Sequence, residues 1–181
     1  KRVKLVSPIG GGYAFYDEAN HTYVDSNGKK YVSGSEFAEK FKTPFPAEIA
    51  AKNCEKKYDL KQQQILDLWN IKGDSASGFG TAMHAALECY GKYGANAGEN
   101  ALPKHPFMRK VVLDFFNGRD AENALYEPFI VDMNTLKCGQ IDRLLIVDKN
   151  KKICRVQDYK FTKAIREESP NKKLKAPFNT L

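Results

Sequence analysis

A chain of 181 residues, 42% hydrophobic and 28% charged, has the length and apolar content of one folded domain, which excludes a disordered or low-complexity chain. No apolar run approaches the ~18 residues that span a bilayer, and the basic start Lys1-Arg2-Val3-Lys4 lacks the apolar core of a secretory signal behind it. The net charge of +7 sits in one place: ten basic residues against three acids between Lys149 and Lys175. That strip marks either a polyanion binder or a solvated face.

In chain order, His21–Val24 and Lys30–Val32 flank Asn27-Gly28 and predict a tight hairpin. A short helix through Phe37 and Phe41 follows, with Ser35 as its N-cap. Pro44 and Pro46 end it, and helices are expected over 48–57 and 62–69. Ser75-Ala76-Ser77-Gly78-Phe79-Gly80 reads as a flexible break before a helix over 81–93. On that helix Met83, Leu87 and Tyr90 form an apolar stripe, while His84 and Glu88 share a neighbouring face. A helix over 106–117 precedes three strands, 125–131, 139–147 and 152–161, and Thr162 is placed to cap a last helix. Cys54, Cys89, Cys138 and Cys154 show no metal or disulfide spacing, so reduced, mostly buried thiols are expected.

The last two strands carry a register argument. With Lys149-Asn150-Lys151 as the loop, Ile146 faces Cys154 and Leu144 faces Val156, an apolar face. One step further Asp142 faces Asp158, at the ~4.5–5.5 Å Cβ spacing of opposed residues, and Lys160 shares their side. Carboxylates this close repel unless a cation lies between them, and oxygen-rich sites suit Mg²⁺ or Mn²⁺. Taken alone, the tripeptide Asp158-Tyr159-Lys160 is better explained by an exposed hairpin end with a salt bridge, since such a tripeptide is common by chance.

Taken together, Gly80-Thr81-Ala82-Met83-His84-Ala85-Ala86-Leu87-Glu88, Glu127, Gly139-Gln140-Ile141-Asp142 and Gln157-Asp158-Tyr159-Lys160-Phe161 resemble the PD-(D/E)XK nuclease superfamily in its RecB-like exonuclease branch, over residues 20–165. The resemblance implies an α/β (α+β) fold: a restriction-endonuclease-like core with a central mixed sheet, an antiparallel meander over 125–161, flanked by helices. It implies one nuclease domain over 1–181, with a hairpin and helical preface over 1–74 and the core over 75–181. The family's following strand and Q-x-x-x-Y helix have no match before Leu181, so a C-terminally truncated core is expected. Ile141 stands where the superfamily's name has proline.

By the same resemblance His84, Asp142 and Asp158 ligate the metal with the main-chain carbonyl of Tyr159. Lys160 positions the attacking water and steadies the scissile phosphate, and Glu127 is an additional acid supporting Lys160 or a second metal. Glu88 is either part of the site or a helix-surface salt bridge; His21 and His105 have no partner in the pattern. The cysteines do not fit the iron–sulfur members, so no cluster is expected. The implied activity is a metal-dependent DNA nuclease, an exonuclease needing Mg²⁺ or Mn²⁺, that hydrolyses phosphodiester bonds with a metal-activated water. Its partner is DNA with a free end, gripped by Lys149, Lys151, Lys152, Arg155, Lys163, Arg166, Lys172, Lys173 and Lys175, with no membrane involved. A nuclease-like DNA-binding module that no longer cuts and a structure-specific or restriction-type endonuclease are the alternatives. The expected location is the cytoplasm of a bacterium or phage-infected host, with a mitochondrial or nuclear compartment as alternatives.

Overall fold

The computed structural model describes residues 2–119 and 123–161. The elements in chain order are β1 (Arg2–Val6), β2 (Tyr13–Asp17), β3 (Thr22–Val24), β4 (Lys30–Ser33), α1 (Gly34–Glu39), α2 (Ala47–Tyr58) and α3 (Gln62–Ala97). They continue through a 3₁₀ turn (Gly98–Ala101), α4 (Pro106–Phe116), β5 (Ala124–Tyr126), β6 (Phe129–Asp132), β7 (Lys137–Gln140), β8 (Arg143–Asp148) and β9 (Ile153–Gln157). The helix expected from Thr162 lies outside the described residues. Among the described residues two compact units result, Arg2–Phe41 with His84–Tyr159, and Lys42–Met83 with Lys160 and Phe161. The division falls within α3, between Met83 and His84. Among the described residues no helix is long and apolar enough to cross a membrane.

In the first unit, β1 to β4 form an antiparallel meander. The β3–β4 hairpin turns as its sequence predicts: Asp25 Oδ1 accepts from the Asn27 and Lys29 amides, both at 2.8 Å, and Gly28 takes φ +82°. Strand β4 then pairs in parallel with β7, and β7 pairs antiparallel with β6. Strand β1 comes back beside β6, so this six-stranded mixed sheet curls around a core of Ala14, Tyr31, Phe129 and Cys138. Strands β5, β8 and β9 form a second, three-stranded antiparallel sheet.

The structure corrects several expectations. The meander over 125–161 is five short strands in two sheets. The first run breaks at Glu127-Pro128, where proline supplies no ladder N–H and restricts the residue before it; Glu127 adopts φ +50°. Helix α1 is capped by Ser33 rather than Ser35: the Ser33 Oγ accepts from the Glu36 amide at 3.1 Å. The segment 75–80 is helical within α3, with the Thr81 hydroxyl donating to the Ser77 carbonyl at 3.0 Å. It contains no proline, and two glycines at ~1 kcal/mol each do not offset cooperative propagation from both flanks.

The β8–β9 register holds as expected at Leu144↔Val156 and Ile146↔Cys154. The loop is one residue longer than Lys149-Asn150-Lys151. Lys152 takes φ +56°, and a bulge between Ile146 and Asp148 absorbs the extra residue. The apolar face expected of this pair is covered only on β8, since Leu144 is 3% exposed and Val156 is 63% exposed. All four cysteines are free, but only Cys138 is buried; Cys89 and Cys154 are exposed.

Candidate metal centre

The two runs that change sheets do so side by side. Between β5 and β6 stand Glu127 and Pro128; between β7 and β8 stand Ile141 and Asp142. The Glu127 amide donates to the Asp142 carbonyl at 3.1 Å, and the Ile141 amide donates to the Pro128 carbonyl at 3.2 Å. Two acids are thereby fixed next to each other at the seam between the sheets. The left-handed backbone of Glu127 costs a non-glycine residue on the order of 1–2 kcal/mol, strain of the kind retained where a side chain must be aimed.

Helix α3 brings the third group. Met83 and Leu87 on its apolar stripe are buried, and Tyr90 packs against Phe116 with ring centroids 5.2 Å apart. Gly91 lies directly against the Tyr126 ring: a Cβ there would stand 2.2 Å from it. No other residue fits this close approach of helix to strand, which sets α3 against the end of β5. His84, on the adjoining face, points its Nδ1 at Asp142 Oδ1, 3.3 Å away.

His84, Glu127 and Asp142 thus converge, each offering one ligand atom, with these atoms all within 4.8 Å of one another. All three are half-buried. The Tyr159 amide donates to the second Asp142 oxygen at 2.5 Å, which fixes that carboxylate. Burial, followed by the nearby charges of Asp142 and Glu88, raises the Glu127 carboxyl above its ordinary value, against the pull of His84 and Lys92. Glu88 is ion-paired with Lys92 one turn further on, so it is both a helix-surface salt bridge and an electrostatic neighbour of the site.

One imidazole and two crowded carboxylates form a donor set that suits Mn²⁺ or Mg²⁺, and a cation there would relieve the repulsion that Glu127 experiences. Beside Glu127 opens a cleft of about 770 Å³, flanked by Gly91 and Lys92 on α3 and by Tyr126 and Gln140.

Arg143 lies in the row behind these acids. It is 2% exposed. Its Nε–H donates to the Tyr126 hydroxyl at 3.3 Å and its Nη1 to Gln157 Oε1 at 2.5 Å. Its guanidinium sits over the Tyr126 and Phe115 rings, 5.6 and 5.9 Å from their centroids. Tyr126, Arg143 and Gln157 are register partners across β5, β8 and β9. The next residues of those three strands are Glu127, Asp142 and Asp158.

Of the residues that the sequence points to, the structure brings together His84, Asp142 and Glu127. Asp158 is exposed, one residue beyond the last β8–β9 pair, and is not among the three converging groups. Tyr159 touches the cluster through its amide and its ring, which meets His84 edge-on at 5.5 Å. Burial pushes its hydroxyl well above the ordinary tyrosine range. Lys160 is exposed and belongs to the second unit. Lys149, Lys151, Lys152 and Arg155 are exposed around the β8–β9 turn, with Lys151 3.9 Å from Asp148. Lys163, Arg166, Lys172, Lys173 and Lys175 lie outside the described residues.

Sequence reasoning missed Gly91, Lys92 and Arg143. A glycine inside an amphipathic helix and a lone cation heading the apolar run Leu144-Leu145-Ile146-Val147 were the available signals. No protein-family model, curated protein or solved structure matches the chain.

Proposed function

We propose that the protein is a metal-dependent DNA nuclease, an exonuclease of the RecB-like PD-(D/E)XK kind, working with Mg²⁺ or Mn²⁺. The convergence of His84, Glu127 and Asp142 at the seam of two sheets carries this reading. The motif Asp158-Tyr159-Lys160 and the exposed cations Lys149, Lys151, Lys152 and Arg155 support it. Bound at those three groups, a divalent cation supplies Lewis-acid polarisation of a phosphate oxygen and a water of lowered pKa.

The chain's own residues do the rest. His84 and Asp142 hold each other's orientation, and the Tyr159 amide stops the Asp142 carboxylate from rotating. Lys92 tempers the negative charge of Glu88 beside the cleft into which a phosphodiester would enter. By the resemblance, Lys160 would place the attacking water and Asp158 would be a further metal ligand. Four thiols with no disulfide suit a reducing compartment, in keeping with the cytoplasm.

Incubation with end-labelled linear and closed circular DNA, in Mn²⁺, Mg²⁺ or EDTA, tests this reading. Loss of label from linear DNA alone, abolished by EDTA and by His84→Ala or Lys160→Met, is the expected result. Nicking of the circle would point to an endonuclease. Binding without any cleavage in Mn²⁺ would leave only a DNA-binding module. Reversing the charges of Lys149, Lys151 and Lys152 should lower the salt slope of DNA binding by ~0.9 per lost phosphate contact.

A further inference from the structure

We infer that the protein holds one unpaired nucleobase in a pocket at the end of the six-stranded sheet, beside the metal centre; the inference deepens the nuclease reading and rests on it. The pocket measures about 370 Å³, room for roughly a dozen water-sized volumes at ~30 Å³ each and ample for a purine. One wall is aromatic: Tyr16, His21 and Tyr23. Tyr16 and His21 are tied by a hydrogen bond of 2.8 Å between Oη and Nδ1. Tyr16 and Tyr23 rings lie 5.0 Å apart, and Tyr23 stacks on the buried Phe129 at 5.6 Å. The wall is ordered before any ligand arrives, so a base stacking on it immobilises little else.

The lining also includes two glycines, Gly34 and Gly139. Neither glycine is there for conformation or for packing, since neither has a positive φ. A Cβ at Gly34 would meet nothing within 4 Å, and one at Gly139 only the Gly34 nitrogen at 3.9 Å. Gly139 lies in β7, where glycine weakens a strand and often marks a bulge, a bend or the close approach of a ligand or backbone. What the two glycines provide is open space against an aromatic wall.

The chemistry of the lining selects the occupant. It contains no lysine, arginine or carboxylate, so it recruits neither a phosphate nor a cation. The Gln140 amide and the Ser35 hydroxyl give donors and acceptors for the edge of a flat, polar ring. Gln140 also lines the cleft beside Glu127 and stands two residues before Asp142. Two residues of extended chain span ~7 Å, which puts the pocket within reach of the nucleotide next to one whose phosphate is at the metal centre. A base in a duplex cannot enter, so the substrate is single-stranded or frayed at its end.

The test measures binding of a fluorescein-labelled 12-mer single strand and of its blunt duplex to the full chain by anisotropy in EDTA, where no cleavage occurs. Tyr16→Ala removes the wall. Gly139→Val adds a side chain that suits a strand and whose Cβ meets only the Gly34 nitrogen, at 3.9 Å. Each should weaken single-strand binding about tenfold, the loss of one stacked base, and leave duplex binding unchanged. His21→Ala, at an exposed position, replaces Tyr16→Ala if that variant does not fold, and should show the same selectivity.

Folded variants with unaltered single-strand affinity, or with equal losses on both DNAs, would overturn the pocket while wild-type cleavage in Mn²⁺ left the nuclease reading standing. The selective losses in a protein that cleaves nothing in Mn²⁺ would uphold the pocket and remove the nuclease reading instead.

Discussion

Strand β8 has β5 on one side and β9 on the other, and the two sides differ in cover. On the β5 side Tyr126 and Leu144 are buried, Gly91 lets α3 lie against Tyr126, and Arg143 is sealed between aromatic rings. On the β9 side every residue from Ile153 to Val156 is exposed. Each flanking strand ends one residue short of an acid, Glu127 after β5 and Asp158 after β9. Only the acid on the covered side joins His84 and Asp142. A carboxylate needs a clamped backbone to stay in a cluster that repels it, and the covered side supplies that clamp.

Removing the ligand shared by both sides should have the largest effect. Asp142→Asn should lower cleavage and Mn²⁺ affinity by more than ~100-fold, beyond the 10–100-fold typical of losing an outer partner, with the far-ultraviolet dichroism spectrum unchanged. The two flanking acids then separate the sides. Calorimetry of Mn²⁺ binding without DNA should show a large loss for Glu127→Gln and a small one for Asp158→Asn, whereas cleavage should fall for both. Equal losses of metal affinity would place the two acids on the same footing and erase the distinction.

Stability should report the same asymmetry on a smaller scale. Leu144→Ala on the covered face should cost about 2–5 kcal/mol, and Val156→Thr across from it no more than ~0.5 kcal/mol, both by denaturant unfolding. The thiols give the finest reading. Cys154 on β9 should react at once with a disulfide reagent, and Cys138 only on unfolding.

Burial pushes the Cys138 thiol from about 9 up to about 11. Between those values the unfolded chain ionises and the folded one does not. Stability should therefore fall as pH rises through that window, and Cys138→Ala should flatten the fall.

Much of this was legible in the residues before any coordinates. Asn27-Gly28 marks its hairpin, Pro106 opens α4, and the 146/154 register follows from matching apolar runs on either side of a turn. His84, Glu127 and Asp142 were singled out by the family resemblance, with Asp142 also marked by its register. Which acid completes the cluster was not legible, because it depends on cover, and cover is supplied by segments distant in sequence. Pro128 carried the sign that one strand would become two, but Leu125 to Val131 reads as a single β-rich run unless that proline is weighed against it. Arg143 was opaque for a related reason: a cation at the head of an apolar strand looks exposed until Tyr126, Gln157 and Phe115 are seen around it.

The parallel pairing of β4 with β7 has a consequence for how the molecule comes into being. Val32 meets Lys137 and Ser33 meets Cys138, so nearly the whole intervening chain must be made before this contact can close. Such distant closure is slow in folding because its entropy is lost before the contact rewards it. The β6–β7 hairpin that sets Glu127 against Asp142 is much closer in sequence and can form earlier. The acids can therefore meet before β4 closes on β7. A chain interrupted before β7 would have neither the paired acids nor the β4–β7 contact.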